Sequence, residues 1–457
     1  MKSRDVDILK GSIYKTILYF FFPVMLGSLF QQLYNTVDAI VVGNFVNKQA
    51  LGAVGGSTGQ LINLLVGFIT GLASGATVII AQYYGNREED SVKDSVRSGM
   101  FMAIALGAIM TIIGIGLAPL MLNYMKVAPD VYDYSLIYMQ VYFTGLVPSM
   151  IYNMGAGILR AIGDSKRPLY FLIASCVTNI ILDVVFVAYM GLAVFGAALA
   201  TVISQVVSCI LTLYVLKHAE GSFQYSLKDT SCNWSILKRI IVIGFPTGIQ
   251  TCLYSVSNIF IQATVNSFGT DTVAAFTAFS KVDAIFWLVS GSFGVAIMTF
   301  VGQNFGADNM DRVKKGIRAG IVLESIASIL MSFVLYYYGE SFIKLFTPDV
   351  PVIEIGAQIM RFLCPWWITF VFVEIFSSSI RACGDSMIPM IITGVGICGF
   401  RVIYLIAYQS KTVLEALFCY PVSWLLTSLI FLAYYLQGSW LKRSLQHRNM
   451  LMEHKGN

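Results

Sequence analysis

Two aspartates lie deep within apolar segments of this chain, where an ionisable side chain is costly. Asp38 lies five residues before Gly43, and Asp183 follows Asn179 by one helical turn. A charge in the middle of a membrane span costs about 2.5–3.5 kcal/mol on insertion scales, so both acids are candidates for a functional site. If their helix faces meet that of Thr201, the four side chains form an oxygen-rich cluster. Such a cluster fits H⁺ or Na⁺ and offers no soft ligand for zinc or copper.

Each acid also has a structural alternative, because a buried aspartate can cap or brace a bent helix without binding an ion. If the pair does bind an ion, H⁺ or Na⁺ neutralises the repulsion between the two carboxylates and lets the helices close. Ion occupancy would then shift a conformational equilibrium. Gln31, Tyr34 and Asp38 follow one another at spacings of three and four, which predicts a shared polar helix face turned away from lipid.

The composition indicates that these side chains lie in a membrane protein. The 457 residues are 57% hydrophobic and 12% charged, with a mean hydropathy of +0.73, whereas soluble domains are about 25% charged. Apolar runs of about twenty residues, enough to cross ~30 Å of hydrocarbon, predict about twelve spans, of which residues 133–159 are the fourth. Lysine and arginine collect in alternate loops, which predicts that both termini are cytoplasmic. This bias explains the net charge of +5 without a nucleic-acid partner.

An internal repeat predicts how the spans are organised. Residues 160–168 and 381–389 both read Arg-Ala-x-Gly-Asp-Ser-x-x-Pro, a shift of 381 − 160 = 221 residues, and the same shift relates Arg97 to Arg318. Each copy holds six spans, an even number, so both copies have the same orientation in the membrane. We therefore predict an all-α membrane protein with about twelve transmembrane helices in two six-helix lobes, related by a pseudo-twofold axis along the membrane normal.

The predicted boundaries follow from the polar stretch between the two copies. Residues 1–216 form the N-terminal lobe, 217–237 a cytoplasmic linker, 238–440 the C-terminal lobe and 441–457 a cytoplasmic tail. The repeated motif itself is predicted to be a structural turn, since Gly-Asp-Ser breaks a helix and the proline can begin the next one.

The second copy does not keep the acidic cluster. The shift of 221 residues places Phe400 opposite Asn179 and Tyr404 opposite Asp183. The mid-span charged residues singled out as candidates in this copy are Lys281, Asp283, Arg361, Glu374 and Arg401. Glu374 is the one predicted to face a cavity, with an ion pair to an arginine as the alternative.

No motif for catalysis or for a cofactor is visible. The eight cysteines are scattered singly, the three histidines lie in loops or the tail, and no Gly-x-x-x-x-Gly-Lys-Ser/Thr phosphate loop occurs. We predict that the protein is not an enzyme, has no cofactor and does not use ATP.

Several features together resemble the multidrug and toxic compound extrusion (MATE) family, over about residues 13–436. They are Pro23 and Asp38 in a long first span, the related pentapeptides at 81–85 and 302–306, the repeated nine-residue motif, and Asn179 with Asp183. The resemblance implies a twelve-helix, cation-coupled exporter. Asp38, Asn179, Asp183 and Thr201 look like the ion-coupling site of the bacterial DinF-type branch. The seventh span lacks the acid of the NorM-type branch.

The resulting prediction is a secondary active antiporter of the bacterial inner membrane. It would export amphipathic organic cations and drugs in exchange for H⁺ or Na⁺ by alternating access, as a monomer among membrane lipids. The predicted ion-coupling residues, also a possible Na⁺ site, are Asp38, Asn179, Asp183 and Thr201. The predicted substrate-binding residues are Gln31, Tyr34, Asn153, Glu374, Phe279 and Trp287. A lipid-linked saccharide flippase is the alternative, because Arg361 and Arg401 could bind its pyrophosphate.

Overall fold

The computed structural model describes residues 8–228 and 231–453, and within these ranges the chain is helical and contains no strand. The helices of the first half are α1 (Ile13–Phe45), α2 (Lys48–Gly55), α3 (Ser57–Gly85), α4 (Glu89–Tyr124), α5 (Pro129–Thr144), α6 (Leu146–Ala161), α7 (Lys166–Asp183) and α8 (Ala193–Lys217). Those of the second half are α9 (Trp234–Asn266), α10 (Thr270–Gly306), α11 (Met310–Lys344), α12 (Val350–Leu363), α13 (Trp367–Ala382), α14 (Met387–Thr393), α15 (Phe400–Ala407), α16 (Val413–Leu417), α17 (Cys419–Gln437) and α18 (Ser439–Glu453). The predicted all-α membrane fold is confirmed.

The described residues contain eleven helical segments long and apolar enough to cross a membrane. The predicted fourth span, residues 133–159, is missing from this set because the structure divides it into α5 and α6 at Gly145. Pro148 explains the break, since it has no N–H to donate to the Thr144 carbonyl and its ring clashes with that group. Pro365 similarly lies in the 3-10 turn Cys364–Trp366, between α12 and α13.

The chain forms two compact units. Among the described residues, unit 1 consists of 22–228 and 231–248, and unit 2 of 8–21 and 249–453. These divisions fall inside α1 and α9, within two or three residues of Pro23 and Pro246 respectively. The lobe boundaries predicted from the sequence lie elsewhere, at the linker, and stay a prediction. Parts of the predicted N-terminal lobe, linker and tail, at 1–7, 229–230 and 454–457, lie outside the described residues.

In unit 1, the helices that carry the sequence-predicted acids and hydroxyls pack side by side. Helix α8 packs against α5, α6 and α7, and α6 packs against α3 and α4. The Ser175 hydroxyl of α7 donates a hydrogen bond to the Ser204 carbonyl of α8 over 2.8 Å. A π-helical turn, Val184–Tyr189, begins directly after Asp183, and such turns frequently occur at functional sites.

In unit 2, α10 is the central helix. It packs against α11, α12 and α13, and α13 also packs against α17. Aromatic rings fill part of this packing: Phe286 stacks on Trp367 with ring centroids 4.4 Å apart, and Trp287 contacts Phe370 at 4.7 Å. The unit therefore has an aromatic core of its own.

The repeated motif forms the same kind of turn in both halves. Gly163 and Gly384 follow the ends of α6 and α13 with φ of 109° and 100°, values that favour glycine. Asp164 accepts hydrogen bonds from the backbone N–H groups of Lys166 and Arg167, both at 3.1 Å. Asp385 accepts one from the N–H of Ile388 at 3.3 Å. The motif's acid thus caps the start of the next helix, as expected of a structural turn.

A pair of glycine motifs allows two helices of unit 1 to approach closely. Gly71 and Gly75 on α3 face Gly244 and Gly248 on α9, each pair spaced as Gly-x-x-x-Gly. A Cβ on Gly244 would lie 2.6 Å from the Leu72 carbonyl oxygen. Helices in membranes associate through small residues in this way, because close backbone contact replaces the hydrophobic driving force that lipid cannot supply.

The substitution Gly75→Ala tests this packing. The new Cβ would collide with the Ile240 carbonyl oxygen of α9. We expect overpacking to cost about 1–3 kcal/mol and to lower the apparent unfolding temperature of the detergent-purified protein. Gly116→Ala on α4 is the matched control, since its Cβ would meet no atom within 4 Å. Equal unfolding temperatures for the two variants would contradict the close contact.

Candidate functional site

Asp38, Asn179, Asp183 and Thr201 lie together in unit 1, brought there by α1, α7 and α8. Asp38 is 3% exposed, Thr201 1%, and Asn179 and Asp183 are 0% exposed. The Thr201 hydroxyl lies 3.3 Å from Oδ2 of Asp38 and also contacts the Ala197 carbonyl at 3.0 Å. Asn179 and Asp183 are neighbours of the same carboxylate. Two acids, an amide and a hydroxyl therefore share one buried site.

Several polar atoms of this site lack a conventional hydrogen bond. Within the described part of the chain, Oδ1 of Asp38, both carboxylate oxygens of Asp183 and both side-chain polar atoms of Asn179 are buried without a partner of normal geometry. Asp183 and Asn179 do interact with Asp38, but at looser geometry than a regular hydrogen bond. Buried polar groups are normally satisfied, so this cluster of unsatisfied oxygens requires a partner such as a proton, a cation or water.

The ligand set is that of a hard cation. Carboxylate, amide and hydroxyl oxygens suit Na⁺ or a shared proton. The Cys176 thiol, which was not among the predicted site residues, lies near Asp38 and one turn before Asn179 on α7. A single thiol does not make a zinc site, and no group of three or more His, Cys, Asp or Glu side chains suited to a metal occurs among the described residues.

Three tyrosines lie beside the carboxylates. Tyr34, Tyr138 and Tyr142 all interact with Asp38, and the Tyr138 and Tyr142 rings stack with centroids 6.2 Å apart. Gln205, one turn after Thr201, lies near the Tyr142 hydroxyl. Tyr142 and Gln205 were not among the predicted site residues. Their signal in the sequence is the spacing of four residues from Tyr138 and from Thr201.

The other predicted substrate-binding residues of unit 1 are more dispersed. Gln31 is exposed on α1 and lies near the half-buried Tyr34, so both belong to the face that carries Asp38. Asn153 lies on α6, where its amide donates to the Ser149 carbonyl of its own helix at 2.8 Å. Its contacts within α6 do not join it to the Asp38 cluster.

The predicted substrate-binding residues of unit 2 lie in two places. Trp287 donates a hydrogen bond from Nε1 to Oδ2 of Asp283 over 2.6 Å and belongs to the aromatic core. Phe279 is buried near Phe276 on its own helix, at a centroid distance of 5.9 Å.

Glu374 has polar neighbours. It is half-buried, and its Oε1 accepts a hydrogen bond from the Ser378 hydroxyl at 3.1 Å. An arginine, Arg381, lies within electrostatic range of it. The arginine partner predicted as the alternative for Glu374 is therefore present, but the two side chains are farther apart than in an ion pair.

Comparison with known proteins identifies the family. The MatE family model matches residues 23–185 and again residues 246–406, so each half of the chain matches the same model. The chain is 27% identical to the probable multidrug resistance protein YoeA of Bacillus subtilis over 446 residues, covering 95% of this chain and 96% of that one. It is 25% identical to the probable multidrug resistance protein NorM of Thermotoga maritima over 453 residues, covering 96% of each.

The fold is also that of a solved transporter. An outward-facing multidrug resistance MATE family transporter of the MOP superfamily superposes with a TM-score of 0.90 at 22% identity, covering 97% of this chain and 99% of that one. Two matches of the family model, relatives similar along nearly their whole length and this shared fold agree with the resemblance carried by the repeated motifs. The chain belongs to the MatE family of multidrug and toxic compound extrusion transporters.

Proposed function

We propose that the protein is a secondary active antiporter that exports amphipathic organic cations in exchange for H⁺ or Na⁺ by alternating access. The observation that supports this most directly is the buried cluster around Asp38, in which two carboxylates lie together with unsatisfied oxygens. A site of this kind is useful to a carrier because its charge state depends on ion occupancy. The proposal narrows the family's general activity to a class of substrate and a coupling ion.

The coupling role falls to Asp38, Asn179, Asp183 and Thr201. When both carboxylates are ionised they repel each other in a region from which water is excluded. H⁺ or Na⁺ removes this repulsion and favours a closed arrangement of α1, α7 and α8, whereas loss of the ion favours an open one. Asn179 and Thr201 supply neutral oxygens that complete the shell around the cation.

The substrate role falls to side chains that combine an aromatic or polar surface with a nearby carboxylate. Those with a carboxylate at hand are Gln31 and Tyr34 in unit 1 and Trp287 and Glu374 in unit 2. Asn153 and Phe279 are proposed to add a polar and an aromatic surface without a carboxylate beside them. The tyrosine rings beside Asp38 suit a flat cation, because a positive charge over an aromatic ring gains about 0.5–2 kcal/mol. The same carboxylate therefore attracts both the coupling ion and the substrate.

The proposed setting is the bacterial inner membrane, with both termini cytoplasmic. The distribution of lysine and arginine between alternate loops supports this orientation. We further propose that the protein acts as a monomer surrounded by lipid, and that its branch within the family is the DinF-type one.

Transport in liposomes tests the proposal. We expect a pH or Na⁺ gradient imposed across the membrane to drive efflux of a fluorescent organic cation from vesicles containing the purified protein. Asp38→Asn and Asp183→Asn should each abolish the gradient-driven part of the efflux. The substituted side chain can no longer be ionised and neutralised in turn, and we expect coupling to need both carboxyl groups. Glu340→Gln, which changes a half-exposed carboxylate on α11, is the control. Full efflux by both aspartate variants would overturn the proposed coupling site.

Thr201 allows a finer test of the ion shell. Thr201→Ala removes the hydroxyl 3.3 Å from Asp38, and we expect the half-saturating concentration of the coupling ion to rise roughly fivefold, the equivalent of about 1 kcal/mol for one hydrogen-bonding group. Thr201→Ser keeps the hydroxyl and should stay close to the parent value. The measurement is the ion dependence of efflux at a fixed substrate concentration. Similar shifts in both variants would indicate that packing, and not the hydroxyl, matters at this position.

Tyr34 allows a test of the substrate side. Tyr34→Ala removes a ring next to Asp38, and we expect the Kd for the flat cation ethidium to rise roughly fivefold, about 1 kcal/mol. Tyr34→Phe keeps the ring and should bind ethidium nearly as well. Fluorescence titration of the purified protein measures both values. A loss of affinity in Tyr34→Phe equal to that in Tyr34→Ala would assign the effect to the hydroxyl and contradict a ring contact.

A further inference from the structure

Unit 2 contains a second buried pair of carboxylates, contributed by Glu324 on α11 and Glu374 on α13. Glu324 is 1% exposed, although it lies in the middle of a membrane-spanning helix. Its Oε1 accepts a hydrogen bond from the Ser290 hydroxyl of α10 over 2.5 Å. Its other oxygen, Oε2, is buried and has no hydrogen-bond partner in the described part of the chain.

Helix α10 brings the two carboxylates close together. Ser290 and Gly294 are four residues apart, so they lie on the same face of α10, one turn or roughly 5–6 Å from each other. Ser290 contacts Glu324, whereas a Cβ on Gly294 would collide with Oε1 of Glu374. The absence of a side chain on Gly294 is therefore what lets Glu374 reach α10. The two glutamates lie within electrostatic range of each other.

Hydroxyl groups surround the pair. Ser290 and Ser378 each donate to a glutamate, at 2.5 and 3.1 Å. Ser328 lies one turn after Glu324 on α11, is 1% exposed, and its hydroxyl oxygen has no hydrogen-bond partner among the described residues. An unsatisfied carboxylate oxygen and an unsatisfied hydroxyl thus lie next to each other on one buried helix face.

With both glutamates ionised, the cluster has one negative charge more than it has positive charges. Arg381 on α13 is the basic group that interacts with Glu374, and Tyr254 on the second half of α9 interacts with both. Arg401 and Cys398 also interact with Tyr254, as its other neighbours. Two ionised glutamates and one arginine carry a net charge of 1 − 2 = −1. A net charge buried in a membrane-spanning unit is costly, and one monovalent cation neutralises it.

From this arrangement we propose that Glu324 and Glu374, with the hydroxyls of Ser290, Ser328 and Ser378, form a second exchangeable site for one small monovalent cation, H⁺ or Na⁺. The site is not a copy of the one around Asp38. The shift of 221 residues relates Glu324 to Ala103 and Glu374 to Asn153, so the first half has neither carboxylate. The transport role of this cation rests on the proposed antiport, whereas its binding does not.

The cation also controls what Glu374 can do. While the pair holds its cation, the cluster is neutral and attracts no organic cation. Once the cation leaves, the half-buried Glu374 presents an uncompensated negative charge. The second site therefore connects ion occupancy to the substrate role proposed for Glu374.

Infrared difference spectroscopy of the purified protein tests the second site. Protonated carboxylic acids have a carbonyl stretching band separate from that of carboxylates, and the band is recorded while pH and Na⁺ concentration are varied. We expect Glu324→Gln to remove one part of the responsive band and Asp38→Asn to remove a different part. Glu340→Gln, the same change at a half-exposed position on the same helix, should remove neither part.

The outcomes separate the two sites. A Glu324-dependent part that responds to pH or Na⁺ supports the second site, whether or not an Asp38-dependent part is found. A responsive Asp38-dependent part alone overturns the second site and leaves the proposed function standing. A Glu324-dependent part that does not change with either ion also overturns it, because the carboxyl pair is then a fixed structural contact.

Ser290→Ala keeps the test decisive if Glu324→Gln fails to fold. This variant keeps both carboxyl groups and removes the donor to Glu324. We expect the Glu324-dependent band to shift in frequency and its ion midpoint to change roughly fivefold. An unchanged midpoint and an unchanged band in a folded Ser290→Ala protein would overturn the proposed coordination.

Discussion

The burial of two adjacent carboxylates without a basic partner is the constraint on which the site in unit 1 depends. Removing a charge from water costs several kcal/mol unless an opposite charge compensates it. In the described part of the chain, neither Asp38 nor Asp183 takes part in an ion pair. The hydroxyl of Thr201 and the amide of Asn179 stabilise a charge but do not neutralise it. Under the proposed antiport, the compensating charge is a mobile cation, which is what makes the site responsive to an ion gradient.

Duplication has kept the scaffold and changed the chemistry. Both halves match the same family model, and both use glycine at positive φ followed by a capping aspartate to turn from one helix to the next. The glycine and the aspartate of this turn are required by its backbone conformation. The buried acids of the two clusters have no such backbone role. The two halves place them on different helices, α1 and α7 in the first half and α11 and α13 in the second.

The sequence was sufficient for features that depend on local or periodic patterns. Long apolar runs predicted the spans, the nine-residue motif predicted its turns, and the mid-span acids Asp38 and Asp183 are buried as their cost in lipid requires. Features that depend on contacts between distant helices were missed. Tyr142 was overlooked because a tyrosine in an apolar span is ordinarily a core residue.

Glu324 shows a different limit. It lies in the apolar sequence of α11, where a charge is visible, but its role depends on Glu374, fifty residues later, and on Gly294 of a third helix. No periodic pattern within one helix predicts that these three residues lie close together. The division of the compact units inside α1 and α9 is of the same kind, since a continuous helix gives no sign of where its packing partners change.

The number of ion sites determines which driving force the transporter can use. Exchange of one H⁺ or Na⁺ for one singly charged substrate moves no net charge, so only the concentration gradient of the ion contributes. If each unit carries one cation inward for the same substrate, one net positive charge enters per cycle. A membrane potential of 100 mV then adds about 2.3 kcal/mol, or roughly fiftyfold in the attainable substrate gradient. A second carboxylate pair therefore changes the physical source of the work, and not merely its amount.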